Sequence, residues 1–487
     1  MLPDGPIIPR SPSLAGIEDL RRGYTPSTHE ARKLIEENTK QLLSEQELID
    51  AELERLSARR RDISRELEIN QALLAPVRKL FPELLSEVFK HAVQGSSTWT
   101  RFSLCVLCGV CTTWRAAARD TPLLWTSIDL DYIIDMDDPI LHLQVQLSAQ
   151  LPLRVYRWRN STAGRISPEA FFDALSDTDA SRVEEIEIEY SGDKLSKMRA
   201  RNFSRLLVAE VSIVDSCASG ALGFLASAPA LRDLCIAVGY PCSNDEVLLG
   251  SPVPAVPNFQ CVTRLTLGIN NDLPVSAFVS VLSQLAPTLN DLIIVSNEVS
   301  NWEEAERAVT FEMPVLCTVE LEAYTHKVLT YITAPVLHTV TLNGDDLCLA
   351  EEDPTESLFD LLSRSRPPLR SFTLRDPMQG SADTLLNCIE RMAGLQRLCM
   401  EDNKYRATSS PRMVAVLEQL ICDDKKPPML PELRSLSVQF EGRYRVSSHG
   451  RADVVAPLSQ VRLSRKEPRV CAGQAVVALE EYNGPAL

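Results

Sequence analysis

The sequence predicts a mixed α/β protein in which a long helix and a small all-α module precede an irregular α/β solenoid built on a parallel sheet. Three observations lead to this prediction. Residues 27–75 contain neither Gly nor Pro and repeat apolar residues every seven positions, which is typical of a long helix. Residues 76–130 contain two short apolar stretches at helical spacing. Residues 131–487 repeat a short strand-like pattern that alternates with helical pieces, as a solenoid requires.

Composition narrows the class of protein before any motif is considered. The chain has 487 residues, of which 45% are hydrophobic and 24% are charged, so it has room for two or three soluble domains. The formal net charge of -16 argues against a general binder of nucleic acid or of an acidic membrane surface, because phosphate contacts need clustered Lys and Arg. We therefore expect neither a nucleic-acid partner nor a membrane partner.

The cysteines and the hydropathy pattern indicate the compartment. The 13 Cys are an odd number and are scattered through apolar runs, which predicts reduced, buried thiols. We find no apolar leader segment and no apolar run of about eighteen residues, so we expect neither a signal peptide nor a membrane span. These features predict a cytoplasmic or nuclear protein.

Residues 1–26 carry five prolines and little periodicity, which predicts a disordered tail. Residues 27–75 then predict a long helix with a coiled-coil-like pattern, which about 40 residues would extend over about 60 Å. One seam position is apolar throughout: Ile35, Leu42, Ile49, Leu56 and Ile63, followed by Asn70. The second seam position is mixed: Thr39, Gln46, Leu53, Arg60, Leu67 and Leu74.

This half-apolar seam leaves two interpretations of residues 27–75 open. A solvated helix or an intramolecular hairpin needs only a weak apolar stripe. A coiled coil with a second copy or with a partner protein would use the seven-residue repeat directly. The sequence does not decide between them.

Residues 76–130 begin with the signals of a helix start. Pro82 suits the first turn, where a missing N–H costs nothing, and Glu83 faces the positive end of the helix dipole. Asp120-Thr121-Pro122 ends the second apolar stretch. The apolar residues at helical spacing are Leu84, Leu85, Val88 and Phe89 in the first stretch, and Leu104, Leu107, Val110, Cys111, Trp114 and Ala118 in the second. Two such short helices bury little by themselves, so we expect part of their apolar surface to meet a partner.

The ordered pattern of this module resembles the F-box, and most closely the F-box-like proteins of mushroom-forming fungi. Phe81 stands where that family usually has Leu, and Val88 where it often has Ile. The resemblance implies docking on a Skp-type adaptor and, through it, on a cullin scaffold, with Trp114 expected to pack mainly inside the module. The residues that would bind the adaptor are Pro82, Glu83, Leu84, Leu85, Val88, Phe89, Val110, Cys111, Trp114, Leu124 and Trp125, while Arg115 completes the motif.

Residues 131–487 contain eleven pieces of the form L-x-x-L-x-L, spaced by 21 to 38 residues. Helical pieces such as VSAFVSVLSQLAP, ESLFDLLSRS, TLLNCIERMAG and RMVAVLEQLICDD lie between them, and LPLRVYRW predicts one further strand. The array resembles a degenerate leucine-rich-repeat domain, which implies a horseshoe with a parallel inner sheet. The eleven pieces begin at Val183, Val208, Leu231, Val262, Leu289, Leu316, Leu337, Leu369, Leu395, Leu433 and, most weakly, Leu458. The asparagine that the family places after the strand is present at Asn270, Asn297 and Asn403.

No motif in the chain predicts chemistry. Cys105, Cys108 and Cys111 form C-x-x-C-x-x-C, but helical spacing places them on one apolar face without a fourth thiol, so we expect buried structural thiols and no metal. The six histidines are isolated, and no nucleophile elbow, phosphate-binding loop or dinucleotide fingerprint occurs. We expect no catalytic site and no cofactor.

The third, fifth and seventh positions of each strand piece should point away from the core, because side chains alternate along a strand. Charges at these positions predict a target-binding strip with an acidic middle and a basic later part; a merely solvated polar face is the alternative. The residues concerned are Asp291, Glu320, Glu322, Arg375, Arg397 and Arg462.

Two functions remain open from the sequence. The first is the substrate-recognition subunit of a cullin-RING ubiquitin ligase of the SCF type, in which the module docks on the adaptor and the repeats bind an unknown protein target. The second is a non-proteolytic interaction scaffold that dimerises through residues 27–75.

Overall fold

The structure is a computed structural model of the chain. It describes residues 17–23, 25, 27–94, 100–158, 166–214, 220–238, 256–269, 275–296, 310–344, 353–375, 381–402, 411–440 and 448–483. Its contacts divide the chain into two compact units, 1–84 and 85–487.

The first unit is dominated by one helix. It contains α1 (Ile17–Arg21), α2 (His29–Leu74), a 3₁₀ turn over Pro76–Lys79 and the first residues of α3 (Pro82–Gln94). The side chain of Thr28 caps α2 by accepting a hydrogen bond from the Ala31 amide at 3.2 Å. The helix runs through 46 residues and buries none of them. The long helix is therefore confirmed, and an intramolecular hairpin within 27–75 is wrong. Of the predicted disordered tail, residues 17–21 are helical and residues 1–16 lie outside the described part.

The second unit begins with helices and continues as alternating strands and helices. After the rest of α3 come α4 (Thr100–Val110), α5 (Thr112–Arg119), a 3₁₀ turn over Pro122–Trp125, β1 (Ser127–Asp129), α6 (Pro139–Leu147) and β2 (Leu153–Arg157). Next are α7 (Pro168–Ala174), α8 (Asp177–Ala180), β3 (Val183–Tyr190), α9 (Gly192–Leu195), β4 (Val208–Ile213), β5 (Asp233–Val238), β6 (Arg264–Ile269), α10 (Val275–Leu285) and β7 (Asp291–Ser296).

The later part keeps the same alternation. It contains β8 (Phe311–Glu312), β9 (Thr318–Glu322), a 3₁₀ segment over Ala323–Thr330, β10 (Ile332–Thr333), β11 (Thr339–Asn343), α11 (Pro354–Ser365), β12 (Ser371–Arg375), α12 (Ala382–Glu390) and β13 (Arg397–Asp402). It ends with α13 (Pro411–Leu420), β14 (Ser435–Phe440), α14 (Ser448–Ser464), the hairpin β15 (Arg469–Cys471) and β16 (Gln474–Val476), and β17 (Glu481–Asn483).

Thirteen of the described strands form one open sheet, in the order β1-β2-β3-β4-β5-β6-β7-β9-β11-β12-β13-β14-β17. Every neighbouring pair is parallel. Parallel neighbours need a crossover between them, which explains the helices and irregular segments that separate the strands in sequence. The mixed α/β class and the parallel sheet are therefore confirmed.

The repeated apolar positions build the core of this unit. In β5 the second, fourth and sixth residues are buried, and the register places Leu234 beside Leu265 of β6 and Ala209 of β4. The same alternation occurs in β3, β4, β9 and β12, so the buried residues of successive strands stack into a continuous layer. Ten of the eleven predicted strand pieces are strands, as is LPLRVYRW in β2.

The prediction of an eleventh strand at Leu458 is wrong. Residues 448–464 form α14, and the strand that pairs with β14 is β17. Leu458 and Val461 are fully buried three residues apart on this helix. A spacing of three is shared by the first two positions of the strand pattern and by one face of a helix, so the pattern by itself could not separate them.

The predicted second helix of the module is also divided. The backbone at Cys111 is extended, with φ −165° and ψ 173°, so α4 ends before it and α5 begins after it. The Arg115 guanidinium donates from Nε to the Cys108 carbonyl at 2.9 Å and so occupies a carbonyl at the end of α4. No helix in the described part of the chain is both long and apolar enough to cross a membrane.

Candidate protein-interaction surfaces

The helical start of the second unit, from Leu85 to Trp125, is held together by aromatic and apolar residues. The Phe89 ring packs on the Trp114 ring with centroids 5.0 Å apart and planes tilted by 56°. The Trp125 indole donates from Nε1 to the Ala118 carbonyl at 2.8 Å, which ties the exit turn to α5. Thr121 Oγ1 donates to the Ala117 carbonyl at 2.7 Å and lies 2.9 Å from Ser86 Oγ of α3.

The predicted adaptor-binding residues divide into inner and outer sets. Leu85, Phe89, Leu124 and Trp125 are 0–4% exposed. A partner that docks on this conformation does not reach these four side chains, whose part is to hold the module together. Sequence spacing could not show this, because one apolar stripe on a short helix serves a core and a partner equally well.

The outer set remains accessible. Leu84 is 51% exposed and Val88, one turn further along α3, is 48% exposed. Pro82, Glu83 and Val110 are exposed, and Cys111 and Trp114 are half-buried. Leu123 is not among the predicted adaptor-binding residues, and it is exposed at 45% beside the buried Leu124. Exposed apolar side chains of this kind are the usual anchors of protein–protein contacts.

The cysteine triplet is placed differently from the prediction. Cys105 is exposed, Cys108 and Cys111 are half-buried, and Cys111 lies outside α4. Buried packing of all three thiols is therefore wrong, because α4 leaves Cys105 exposed and the extended backbone at Cys111 takes that residue out of the helix. Within the described ranges, no group of three or more His, Cys, Asp or Glu side chains could hold a metal ion.

An apolar cavity of about 240 Å³ lies between α4, α5 and α6. Burial raises the pKa of the Cys108 thiol, and the neighbouring Cys105 adds to the effect, so the thiol stays neutral at physiological pH. The cavity is large enough for one apolar side chain of a partner. It is lined by Leu104, Cys105, Cys108, Arg115, Arg119, Trp125, Ile140, Leu143 and Leu147.

The second surface is the face of the sheet opposite the core, which we call the open face. Its residues are the third, fifth and seventh positions of the strand pattern, and the strand register aligns them in rows. One row runs through Asp233, Arg264 and Asp291 on β5, β6 and β7. Arg264 lies 3.7 Å from Asp233 and 3.8 Å from Asp291, so this part of the face is internally paired.

The charges predicted to bind a target pair with one another on the central strands. Arg375 of β12 donates from Nε to Glu401 at 2.8 Å and lies 3.6 Å from Glu320. Asn343 lies on β11, between β9 and β12, and its side-chain amide donates to Glu320 at 3.1 Å and to Glu322 at 3.3 Å. Side chains of β9, β11, β12 and β13 are therefore joined in one polar network. This network presents a fixed pattern of hydrogen-bond donors and acceptors, and it replaces the two separate charged patches that the sequence predicted.

Two of the predicted target-binding arginines lie outside this network. Arg397 is exposed on β13, in the same row as Ser371 and Ser435. Arg462 is on α14, where its guanidinium lies over the Tyr482 ring at 5.1 Å. The prediction that Arg462 belongs to the sheet is wrong, because the segment is helical.

An acidic region that was not predicted from the sequence lies at the start of the sheet. Glu187 of β3 lies beside Glu210 of β4 in the register. Burial raises the pKa of Glu187 to about 8, and Glu210 and then Glu185 add to it by repulsion. Burial with the charges of Glu210 and Glu187 also raises the pKa of the Cys235 thiol to about 12. The alternation in VEEIEIEY was the available signal, since it places three carboxylates on one face of a strand.

No family model matches the chain, and no curated protein matches it.

Proposed function

We propose that this chain is the substrate-recognition subunit of an SCF-type cullin-RING ubiquitin ligase, working in the cytoplasm or nucleus. The helical module docks on a Skp-type adaptor and so on a cullin, and the open face of the sheet captures a protein target. The chain performs no chemistry and needs no cofactor. Its contribution is effective concentration, because a rigid scaffold holds target lysines near a charged ubiquitin-conjugating enzyme.

One observation carries this proposal: exposed apolar residues remain on a small, internally packed helical module that leads directly into a broad open sheet. The module closes its own core with Phe89, Trp114 and Trp125, yet Val88 and Val110 stay exposed. Leu84 and Val88 are four residues apart on α3 and therefore lie on one side of that helix, where a single partner could cover both. The F-box resemblance of residues 76–130 supplies the kind of partner.

We further propose that the open parallel sheet is the inner surface of an irregular horseshoe. Thirteen described strands form one parallel sheet, and strands such as β4, β5 and β9 bury alternate residues in a continuous core layer. Stacked strand–helix units of this kind produce an extended face for protein recognition. The polar network around Arg375 on this face is the proposed target-binding region, together with Asp291 and Arg397.

Substitution of the exposed apolar residues tests adaptor docking. Leu84→Asp combined with Val88→Asp should abolish co-purification of the full chain with a Skp-type adaptor, because both side chains are about half exposed and a partner would bury them. The thermal midpoint should shift by less than about 2 °C, since little core packing is lost.

A matched control separates docking from a general effect of added charge. Leu463→Asp also replaces an exposed leucine, on α14, and should co-purify as the wild type does. Adaptor capture that is unchanged in the Leu84/Val88 variant, or lost equally in the Leu463 variant, would contradict the docking surface.

A second candidate function is a non-proteolytic scaffold that dimerises through residues 27–75. The observation that favours it is the complete absence of buried residues along α2, which leaves its seven-residue apolar repeat open to a partner helix. Size exclusion of the full chain with and without adaptor distinguishes the two functions. Self-association without adaptor binding supports the scaffold.

A further inference from the structure

We propose that α2 pairs with α2 of a second copy of this chain as an antiparallel coiled coil centred on Ala51. This inference deepens the dimerisation part of the second candidate function by naming the partner, its direction and its register. It does not depend on adaptor docking.

The helix has the length and the exposed apolar stripe that a coiled coil needs. Its 46 residues extend over about 69 Å at 1.5 Å per residue. Leu42, Ile49, Leu56 and Ile63 recur every seven residues, and each is between 43% and 50% exposed. An isolated helix that buries nothing is marginally stable in water, so a partner that covers this stripe would stabilise it.

The mixed seam position argues against a parallel dimer. In a parallel, in-register pair each seam residue faces its own equivalent, so Arg60 would face Arg60 and Gln46 would face Gln46 inside the seam. Two guanidinium groups held together in a desolvated layer repel each other. The parallel arrangement therefore places the least favourable contact in the middle of its own core.

An antiparallel pair removes that conflict, because the mixed seam position then meets the apolar one. When residues whose numbers add to 102 face each other, Arg60 packs on Leu42 of the second copy and its charged end can reach solvent. Leu53 packs on Ile49 of the second copy, next to the twofold axis. The neighbouring layers pair Thr39 with Ile63, Gln46 with Leu56 and Leu67 with Ile35, so each layer between residues 35 and 67 contains at least one apolar residue. Only the outermost layer of the helix, in which Asn70 faces Arg32 of the second copy, is polar on both sides.

The charges beside the seam favour the same direction. In the antiparallel register, seam residues face each other when their numbers add to 102, and the residues that flank the seam on the side of Glu45 face each other when their numbers add to 104. Glu45 therefore faces Arg59 of the second copy, and this attraction occurs twice. In the parallel arrangement Glu45 would face Asp50 of the second copy, and this repulsion would occur twice. Near the antiparallel axis Asp50 and Glu52 each face their own equivalent. Glu52 is already paired with Arg55 of its own helix at 2.7 Å, which weakens that repulsion.

One substitution gives opposite results for the two directions. Glu45→Lys should weaken the antiparallel dimer about tenfold, because two attractive pairs become repulsive. The same substitution would tighten a parallel dimer, because the introduced lysine would face Asp50 of the second copy. Residues 41, 42, 48 and 49, the helix neighbours of Glu45, are uncharged, so the effect within one helix is small.

The experiment is sedimentation equilibrium of the full chain at about 50 mM salt, where exposed ion pairs are least screened. The wild type should dimerise, Glu45→Lys should raise the dissociation constant about tenfold, and adding Arg59→Glu should return it to within about threefold of the wild type. Glu47→Lys makes the same change of charge on the outward side of the helix and should leave it unchanged.

The other outcomes overturn the inference. A chain that stays monomeric at every concentration excludes self-pairing and leaves α2 to a different partner or to solvent. A Glu45→Lys dimer that is tighter than the wild type shows a parallel coiled coil. A dissociation constant that Arg59→Glu does not restore shows that these two residues do not face each other. None of these results bears on adaptor capture by Leu84 and Val88, which is measured separately.

Discussion

At the scale of single residues, Glu187 is a carboxyl of the open face whose pKa is strongly raised. Its side chain is half-buried on β3 and lies beside Glu210, with Glu185 two positions earlier on the same strand. Burial and the two neighbouring charges raise the pKa of Glu187 to about 8, so it holds a proton at neutral pH. A free glutamate in the unfolded chain has a pKa near 4.3. The folded state therefore binds this proton more tightly than the unfolded state does.

This difference predicts how stability changes with pH. The free energy of unfolding should fall as the pH rises from about 4.5 to about 8, because in this range unfolding releases the proton that the folded Glu187 holds, and a higher pH favours that release. Glu187→Gln should remove this part of the slope and be more stable than the wild type at pH 8, but not at pH 4. Urea unfolding midpoints of both proteins at pH 4, 6 and 8 measure this difference in stability. A slope that is the same in Glu187→Gln and in the wild type would contradict this origin of the pH dependence.

At the scale of elements, the buried carboxylate of Asp353 joins the beginnings of three successive helices. It caps α11 by accepting a hydrogen bond from the Thr355 amide at 3.0 Å. It accepts another from the amide of Ser381, the capping residue of α12, at 3.2 Å. It also pairs with Arg412 of α13 at 3.1 Å, and both side chains are almost completely buried. Burial lowers the pKa of Arg412, and the charge of Asp353 opposes that change.

Removing one member of the Asp353–Arg412 pair should lower the free energy of unfolding. Asp353→Ala should destabilise the second unit by about 3–5 kcal/mol, because it leaves a buried guanidinium without its carboxylate and removes a helix cap. Arg412→Met should cost less, since the carboxylate keeps its amide donors. Denaturant unfolding of both single variants and of the double variant should give a coupling free energy above about 1 kcal/mol. If the losses of unfolding free energy in the two single variants add up to the loss in the double variant, Asp353 and Arg412 do not stabilise the fold as a pair.

At the scale of the whole molecule, the two units differ in how their backbone hydrogen bonds are protected. In the first unit α2 buries no residue, whereas the strands of the second unit lie over a continuous buried layer. Local opening costs least where few apolar contacts are lost. The two units should therefore exchange their amide hydrogens on different timescales.

Hydrogen–deuterium exchange read by mass spectrometry checks this expectation. At nanomolar protein, peptides from α2 should exchange at least about a hundredfold faster than peptides from β5 and β6. Raising the protein concentration should slow exchange in α2 alone, because only paired helices protect each other. Equal protection of α2 and β5 at nanomolar protein would contradict the separation of the two units.

Much of the fold could be predicted because the spacing of apolar residues along the chain differs between strands and helices. Ten strand pieces and the helices α10 to α13 follow directly from apolar residues at period two or period 3.6. The outward positions of those strands were predicted for the same reason, apart from Arg462 on α14. The errors fall where one spacing fits two structures, as at Leu458 and Val461, or where a single extended residue such as Cys111 interrupts a helix.

The sequence by itself determined the long α2 helix, the alternation of strands and helices and the residues that face away from the core. These depend on neighbours within a few positions, and such neighbours are fixed by the chain. Only the tertiary structure decided that Leu85 and Phe89 turn inward while Val88 stays exposed, that Arg375 pairs with Glu401, and that Asp353 joins three helices. Those outcomes depend on the register between elements far apart in sequence, which is set by how the whole sheet and its helices pack.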